Sequence, residues 1–496
     1  MASSPTRSSR LPLLGGAYQS RSLIAAAQRC VNLYPEQNPP EGTPPVPVTH
    51  YPTPGLRKVS QSPTIGRMRA TYRATDGKLY AAVNGPSGTV IYAISDTFGW
   101  TALGTVPIGL NPLIFADNGL AIVIVDGTAT SYAIDMSSSA FGTISATNFY
   151  GGTWVTYLDT YFILNRPGTA QFYISVSNVT YAMLIGGTGF DALDIAAKTG
   201  SADDVVAVAA IHGELWLIGE LTSEIWANTG AADFTFGRIQ GAFCDHGCAA
   251  PYSLSQQDIY LFWLAMDRQG KAVVVRSDGY GVKRISTHAI EADIQGYNVI
   301  SDGIGYCHQI DGHAFYVLTF PDANRTWAYE LATGQWHERA SIDGNGNLAR
   351  HRGNCFAFAY NQGLVGDYQN GALYVYDQSF YLDGTVPIPR IRTFPHVVNN
   401  GKRVQYNQFV ADIEVGQTGG NMTSDPWKLS LRWSDNRGAS FGNPVIQSMG
   451  SGGQHLISPQ WRSLGNARDR VFELSWSAPV KTSLNGAWIE TTALAT

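Results

Sequence analysis

The residues best suited by type to chemistry are few and scattered. Cys244, His246 and Cys248 stand within five residues of one another. A metal site wants three or four such ligands at recurring spacings, and no second pair such as C-x-x-C follows. His308 beside Cys307 and His351 near Cys355 could converge on the cluster, but the expectation is that it holds no metal. The carboxylates Asp203, Asp204, Glu214, Glu220 and Glu224 sit in strand or loop context. Two acids at a workable separation can be found in many β folds, so their presence decides little. The chain has no phosphate-binding P-loop and no H-E-x-x-H. Its glycine runs at Gly186-Gly187-Thr188-Gly189 and Gly450-Ser451-Gly452-Gly453 lack the strand-to-helix context of a phosphate site. We therefore expect no catalytic residue, no metal and no cofactor.

The sharpest motif is Ser434-Asp435-Asn436-Arg437-Gly438-Ala439-Ser440-Phe441. It resembles an Asp-box, S-x-D-x-G-x-[ST]-[FW], with Asn436 in the usual Asp position. An Asx side chain can accept from backbone N–H groups of its own turn, Gly438 supplies a positive φ, and Phe441 can fold back to pack. Ser434, Asn436, Gly438 and Phe441 are thus expected to form a structural turn. Asp-boxes occur in sialidases but lie away from their active sites.

The elements that would position these residues are strands. Strand-length runs rich in Val, Ile, Tyr, Phe and Trp recur between Gly, Asn, Asp and Pro, and helical periodicity is nearly absent. From about residue 55 a two-strand unit repeats, from GKLYAAV…TVIYAIS through GELWLIGELTSEIWANTG to LVGDYQNGALYVYD. Equivalent positions are Leu79, Leu120, Tyr161, Leu215, Tyr260, Phe315 and Leu364, roughly 40 to 55 residues apart, the period of propeller blades. Stacking blades around an axis buries both faces of each sheet. Six and seven blades are both open, and an elongated array of β-sandwiches is the structural alternative. The expected organisation is an extended, Pro-rich N-terminal assembly segment (1–54), a propeller (55–383), a linker (384–403) and a C-terminal β-sandwich-like domain (404–496).

Charged residues make up 14% of the 496-residue chain and aromatics 11%, against roughly 25% charged in ordinary soluble domains. Large subunit interfaces or a larger core would each explain this. The formal net charge is −5 without a Lys/Arg run, which argues against a dedicated nucleic-acid surface. Five scattered cysteines suggest no disulfide framework and folding in a reducing cytoplasm. The most apolar runs are strand-length, so no membrane insertion is expected.

Many short, ordered matches then give the chain a family likeness. They include Gly16-Ala17-Tyr18-Gln19-Ser20, Gln28-Arg29-Cys30-Val31-Asn32-Leu33-Tyr34-Pro35-Glu36 and Tyr51-Pro52-Thr53-Pro54-Gly55-Leu56 near the start. Arg284-Ile285-Ser286-Thr287-His288, His351-Arg352-Gly353-Asn354-Cys355 and Gly366-Asp367-Tyr368-Gln369-Asn370-Gly371 follow. Leu431-Arg432-Trp433-Ser434-Asp435 and Leu464-Gly465-Asn466-Ala467-Arg468-Asp469-Arg470 lie near the end. On these the chain resembles the tail hub, or nozzle, family of short-tailed phages, the packaged-DNA stabilisation proteins. The resemblance implies a non-enzymatic homohexameric ring in the virion tail, below the portal and adaptor. It implies a tail needle or plug and tail fibres or spikes as neighbours, and transient passage of double-stranded DNA at ejection. The alternatives are a propeller-type glycan hydrolase of sialidase kind or a glycan-binding receptor protein. A sialidase should gather several Arg with a Tyr/Glu pair, and no motif here places them together.

Overall fold

The structure, a computed structural model, describes residues 6–39, 46–267, 269–270, 272–417 and 426–494. Parts of the expected N-terminal and C-terminal stretches, Pro40, Pro44 and Pro45 among them, lie outside the described residues. Among the described residues strands dominate, with two short α-helices, Tyr181–Gly186 and His288–Gln295.

Seven antiparallel sheets stand around one axis. The run Ala121–Val125 (AIVIV) shows why the sequence builds them. Successive side chains of a strand point to opposite faces. Ile122 and Ile124 pack with Tyr80, Ala82 and Ile91 of the first blade, while Ala121, Val123 and Val125 pack with Phe162 and Leu164 of the third. Both faces are covered, so every position is apolar. Seven apolar clusters of this kind fill the seven interfaces between neighbouring sheets. The array closes into a ring: Met68, Leu79 and Val83 of the first blade pack with Ala357, Leu364 and Leu373 of the seventh.

Six blades each come from one contiguous stretch of chain. The seventh takes Gly353–Ala359, Gln362–Asp367 and Ala372–Asp377 and completes them with Gly55–Gln61, which pairs antiparallel with Ala372–Asp377. An early strand thus latches the last blade. The all-β propeller expected from the repeat is the fold of the chain.

Beyond the ring, besides two two-stranded sheets, lie two larger ones. One combines Gln460–Arg462, Val404–Ile413 and Leu484–Ala493 with Thr6–Pro12, Val48–Pro52 and Leu33–Gln37. The other runs outward from blade six: Gln335–Glu338, Cys30–Val31, Arg390–Thr393, Asp469–Trp476, Lys428–Ser434 and Val445–Ser448. Their shared core is continuous with that between blades five and six, joining Phe262 and Leu318 to Phe409, Leu431 and Phe472.

Two boundaries read from the sequence differ here. The stretch 384–403, expected as a linker, carries Arg390–Thr393, an inner strand whose Arg390 and Arg392 are fully buried. The N-terminal segment is extended, as its prolines dictate, but Thr6–Pro12, Cys30–Val31, Leu33–Gln37 and Val48–Pro52 are members of the outer sheets, while Tyr18–Gln19 and Ala27–Gln28 pair with each other. Leu13, Cys30, Val31, Leu33 and Tyr34 are buried there. Pro35 and Pro52 are tolerated because Leu33–Gln37 forms the edge of its sheet and Pro52 ends its strand.

Candidate functional site

The inner strands of all seven blades converge on an axial cavity of about 650 Å3. Its wall is aromatic and nearly neutral, with Tyr72, Phe115, Trp154, Tyr157, Tyr252 and Tyr306 among its lining residues. Arg69 and Asp117 are the charged side chains described there, and both are committed. Asp117 accepts from Tyr72 Oη (2.5 Å), from the hydroxyl and backbone N–H of Thr75 and from Gly119 N–H (3.1 Å). Burial, and the hydrogen bond to Asp117, push the Tyr72 phenol well above its ordinary range. Arg69 donates to the Asn111 carbonyl (2.7 Å) and to Thr89 Oγ1 (2.9 Å). One carboxylate so engaged, without a second beside it, is not a general acid/base pair.

Of the other acids singled out from the sequence, Asp203, Glu214 and Glu224 each have partners of their own. Asp203 meets Lys198 Nζ at 2.5 Å and accepts from Leu221 and Thr222 N–H groups. Burial raises its pKa, but these partners outweigh burial and hold it below the usual carboxylate range. Glu224 is buried and accepts from Gly200 N–H and Trp226 Nε1, while Glu214 accepts from Tyr280 Oη. Each ties strands or loops together.

Cys244 Sγ lies 3.9 Å from His246 Nδ1, but Cys248 turns away to the Ala250 carbonyl (3.1 Å). Burial pushes the two thiols up, to about 11 and about 12. His308 and His351 do not approach them. Both lie against Tyr376, between blades six and seven. Among the described residues no group of three or more His, Cys, Asp or Glu is placed to hold a metal.

The Asp-box-like residues do meet in one turn. Ser434 Oγ donates to Asn436 Oδ1 (2.7 Å), which also accepts from Ser440 N–H (2.9 Å), and Gly438 N–H donates to Ser434 Oγ (2.8 Å). Phe441 folds back beneath the Arg432 guanidinium, 4.9 Å from its ring. Asp435 anchors the turn through a bidentate pair with buried Arg470, at 2.6 and 2.8 Å. Gly438 has φ +89°, and a Cβ there would come within 2.7 Å of the Ala27 Cβ in the N-terminal segment. Gly438→Val should therefore cost about 1–3 kcal/mol, read as a lower melting temperature. An unchanged melting temperature would show the turn to be dispensable.

Sequence reasoning missed a buried polar cluster where the N-terminal segment meets blades six and seven. His50, His308, His337 and His351 are all buried there, and neither ring nitrogen of His308 meets a hydrogen-bond partner. Burial, with help from nearby arginines, pushes all four down, His50 and His337 to about 3. Burial raises Asp383 to about 6 despite Arg339. Arg392 donates to the carbonyls of Gly15 (2.6 Å) and Arg29 (3.0 Å), holding the N-terminal segment from inside. The alternation Arg390-Ile391-Arg392 was the available signal, since i and i+2 of a strand share a face.

A protein-family model described as "Bacteriophage P22 Gp10, beta-propeller" matches residues 9–381. Curated protein sequences give no match. Among solved structures, a streptogramin B lyase structure is similar at TM-score 0.42 and 11% identity, covering 64% of this chain and 96% of that one. The structure of U3-55K is similar at TM-score 0.38 and 8% identity, covering 65% and 99%.

Proposed function

Because the chain belongs to the bacteriophage P22 Gp10 β-propeller family, we propose that this phage structural protein is the tail hub, or nozzle, subunit of a short-tailed virion. The family match over residues 9–381 carries the reading. Six copies form a ring below the portal and adaptor, packaged DNA is retained above it and leaves through it, and a needle and fibres or spikes attach to it. In such a ring the duplex runs along the shared axis between subunits rather than through a blade ring. Catalysis has no part in this role, and the engaged Asp117 gives the glycan-hydrolase alternative no acid pair in the axial cavity.

Images of the purified full-length protein should show rings of six with an open centre. Monomers throughout the concentration range of tail assembly would overturn the reading. A passage for DNA should not grip it, because each phosphate neutralised by Lys or Arg adds affinity and salt dependence. Among the described residues, burial removes seven basic and eight acidic side chains, which leaves the surface slightly acidic. Binding of free duplex should accordingly be weak, with a shallow dependence on salt. Tight binding with a steep salt slope would instead make the ring a clamp on the genome.

A further inference from the structure

Charge is unevenly spread along this chain. Residues 79–197, which form most of blade one and all of blades two and three, hold seven aspartates and a single basic residue, Arg166. Residues 384–496 hold eleven Lys and Arg against seven Asp and Glu. Each excess comes to the surface beside an exposed apolar side chain.

The acidic patch lies on the outer strand of blade three, Phe190–Ala197. Its register slips between Tyr173 and Ser175 of the neighbouring strand, so residues 191–194 bulge off the sheet. A bulge bends its strand and re-aims the side chains. Asp191 accepts from the Leu193 N–H (2.9 Å), and Leu193 stands 79% exposed between two aspartates. Burial and the neighbouring Asp191 push the Asp194 carboxyl up. Asp159, exposed in the turn between the first two strands of the same blade, adds a third carboxylate. Arg166 does not answer them, because it lies over the Tyr150 ring and donates to Gln171 Oε1 (2.8 Å).

The basic patch lies at one end of the outer sheets, where Val404–Ile413 starts beside Asn466–Ala467 and the close of Leu484–Ala493. Lys402 and Arg403 lead into that strand. Arg468 reaches the Gly401 carbonyl (3.4 Å), and Arg7 sits on the edge strand opposite Thr491. All four are exposed, and no described carboxylate pairs with them. Asp469, next to Arg468, is taken up by His396 (2.7 Å) and Arg437 (3.3 Å). Val398, 57% exposed, pairs with Asp469 and so stands beside Arg468.

The two patches match. Each sets an apolar residue among charges of one sign, and the signs are opposite, as in an interface with an apolar centre and a polar rim. They also occupy different flanks. The sheet that carries Asp469–Trp476 runs outward from blade six, and blade three is three of the seven steps round the ring from there, nearly across the axis. Different patches on opposite flanks make a head-to-tail contact, which closes into a ring when the rotation allows.

We propose that copies of this chain join head to tail through these patches: Arg7, Lys402, Arg403 and Arg468 around Val398 of one copy seat on Asp159, Asp191 and Asp194 around Leu193 of the next. The contact rests on the ring proposed for the tail hub and names the joint between its subunits. Opposite charges steer the approach and fix the register. Val398 and Leu193 leave water when the patches close.

Sedimentation velocity of the full-length protein tests the joint. Arg403→Glu with Arg468→Glu, and Asp191→Lys with Asp194→Lys, should each raise the concentration needed for ring assembly about tenfold or more, because like charges then face each other. Their far-UV circular dichroism should match the wild type. Arg403→Gln with Arg468→Gln should shift assembly less and in the same direction, which keeps the test open should a reversal fold poorly. Mixing the two reversed proteins is the decisive arm. In a ring of six that alternates them, every joint again sets opposite charges together, so the mixture should assemble although neither protein does alone. Loss of assembly that mixing does not restore would overturn the proposal. Reversed variants that form rings as readily as the wild type would also overturn it, while the tail-hub ring would stand with its joint elsewhere. A wild-type monomer would remove ring and joint together.

Discussion

Removal of residues 1–54 should cost the protein its fold, not merely its ability to assemble. The strand Thr6–Pro12 pairs along its whole length with Leu484–Ala493. Cys30–Val31 sits between the outer strand of blade six and Arg390–Thr393, so deleting it cuts that sheet in two. Asn32 would go as well, with its side-chain bonds to the Ala340 and Pro389 carbonyls, both 2.7 Å. Leu13, Val31, Leu33, Tyr34 and Val48 would leave the core, and the faces that they cover would meet water. At about 1.5–3 kcal/mol for each large apolar side chain, the loss reaches the ~5–15 kcal/mol that holds an ordinary domain together. The shortened chain should lack a cooperative melt and collect in the insoluble fraction. A soluble truncated protein with the full-length melting temperature would mean that the segment serves assembly alone.

The contrast between that segment and the blades shows what a sequence can carry. Leu79, Tyr161, Leu215, Tyr260, Phe315 and Leu364 all lie on the second strand of their blades, and Leu120 directly precedes one. Second and third strands are buried on both faces and joined by tight turns, so they leave unbroken apolar runs at a fixed period. Outer strands such as Trp100–Val106 face solvent on one side and lose that signature. The N-terminal pairings were illegible for another reason. Strands of two residues, such as Cys30–Val31, hold no period, and their partners lie hundreds of residues away. The Asp-box-like turn was legible because its bonds are local, between residues four or fewer apart. The axial cavity and the histidine cluster were not, because each gathers side chains from strands far apart in sequence.

Acid should unfold the protein steeply. His50, His308, His337 and His351 are neutral in the folded state, because burial, first among the causes, lowers the pKa of each, to about 3 for His50 and His337. An unfolded chain takes up protons at these residues once the pH falls below the ordinary histidine value of about 6.5, and the folded chain does not. Their neutral burial is therefore harmless above that value and is progressively penalised as pH falls from 6.5 toward 3. Each contributes a slope of about 1.4 kcal/mol per pH unit in that window. Asp383 works the other way between about 6 and the ordinary carboxylate range, since its raised pKa lets the folded chain hold a proton that the unfolded chain has released. The balance near pH 5 is about three protons, or roughly 4 kcal/mol per pH unit. A stability of ordinary size then vanishes within two or three units below 6.5. Circular dichroism at 25 °C should show one cooperative acid transition with a slope near three protons. His308→Phe provides the control, because the ring sits among Phe315, Phe356 and Tyr376 and gives up no hydrogen bond when replaced. That variant should lose about one proton from the slope and unfold at lower pH than the wild type. A transition that is shallow, or unmoved by His308→Phe, would mean that these histidines are already charged in the folded protein.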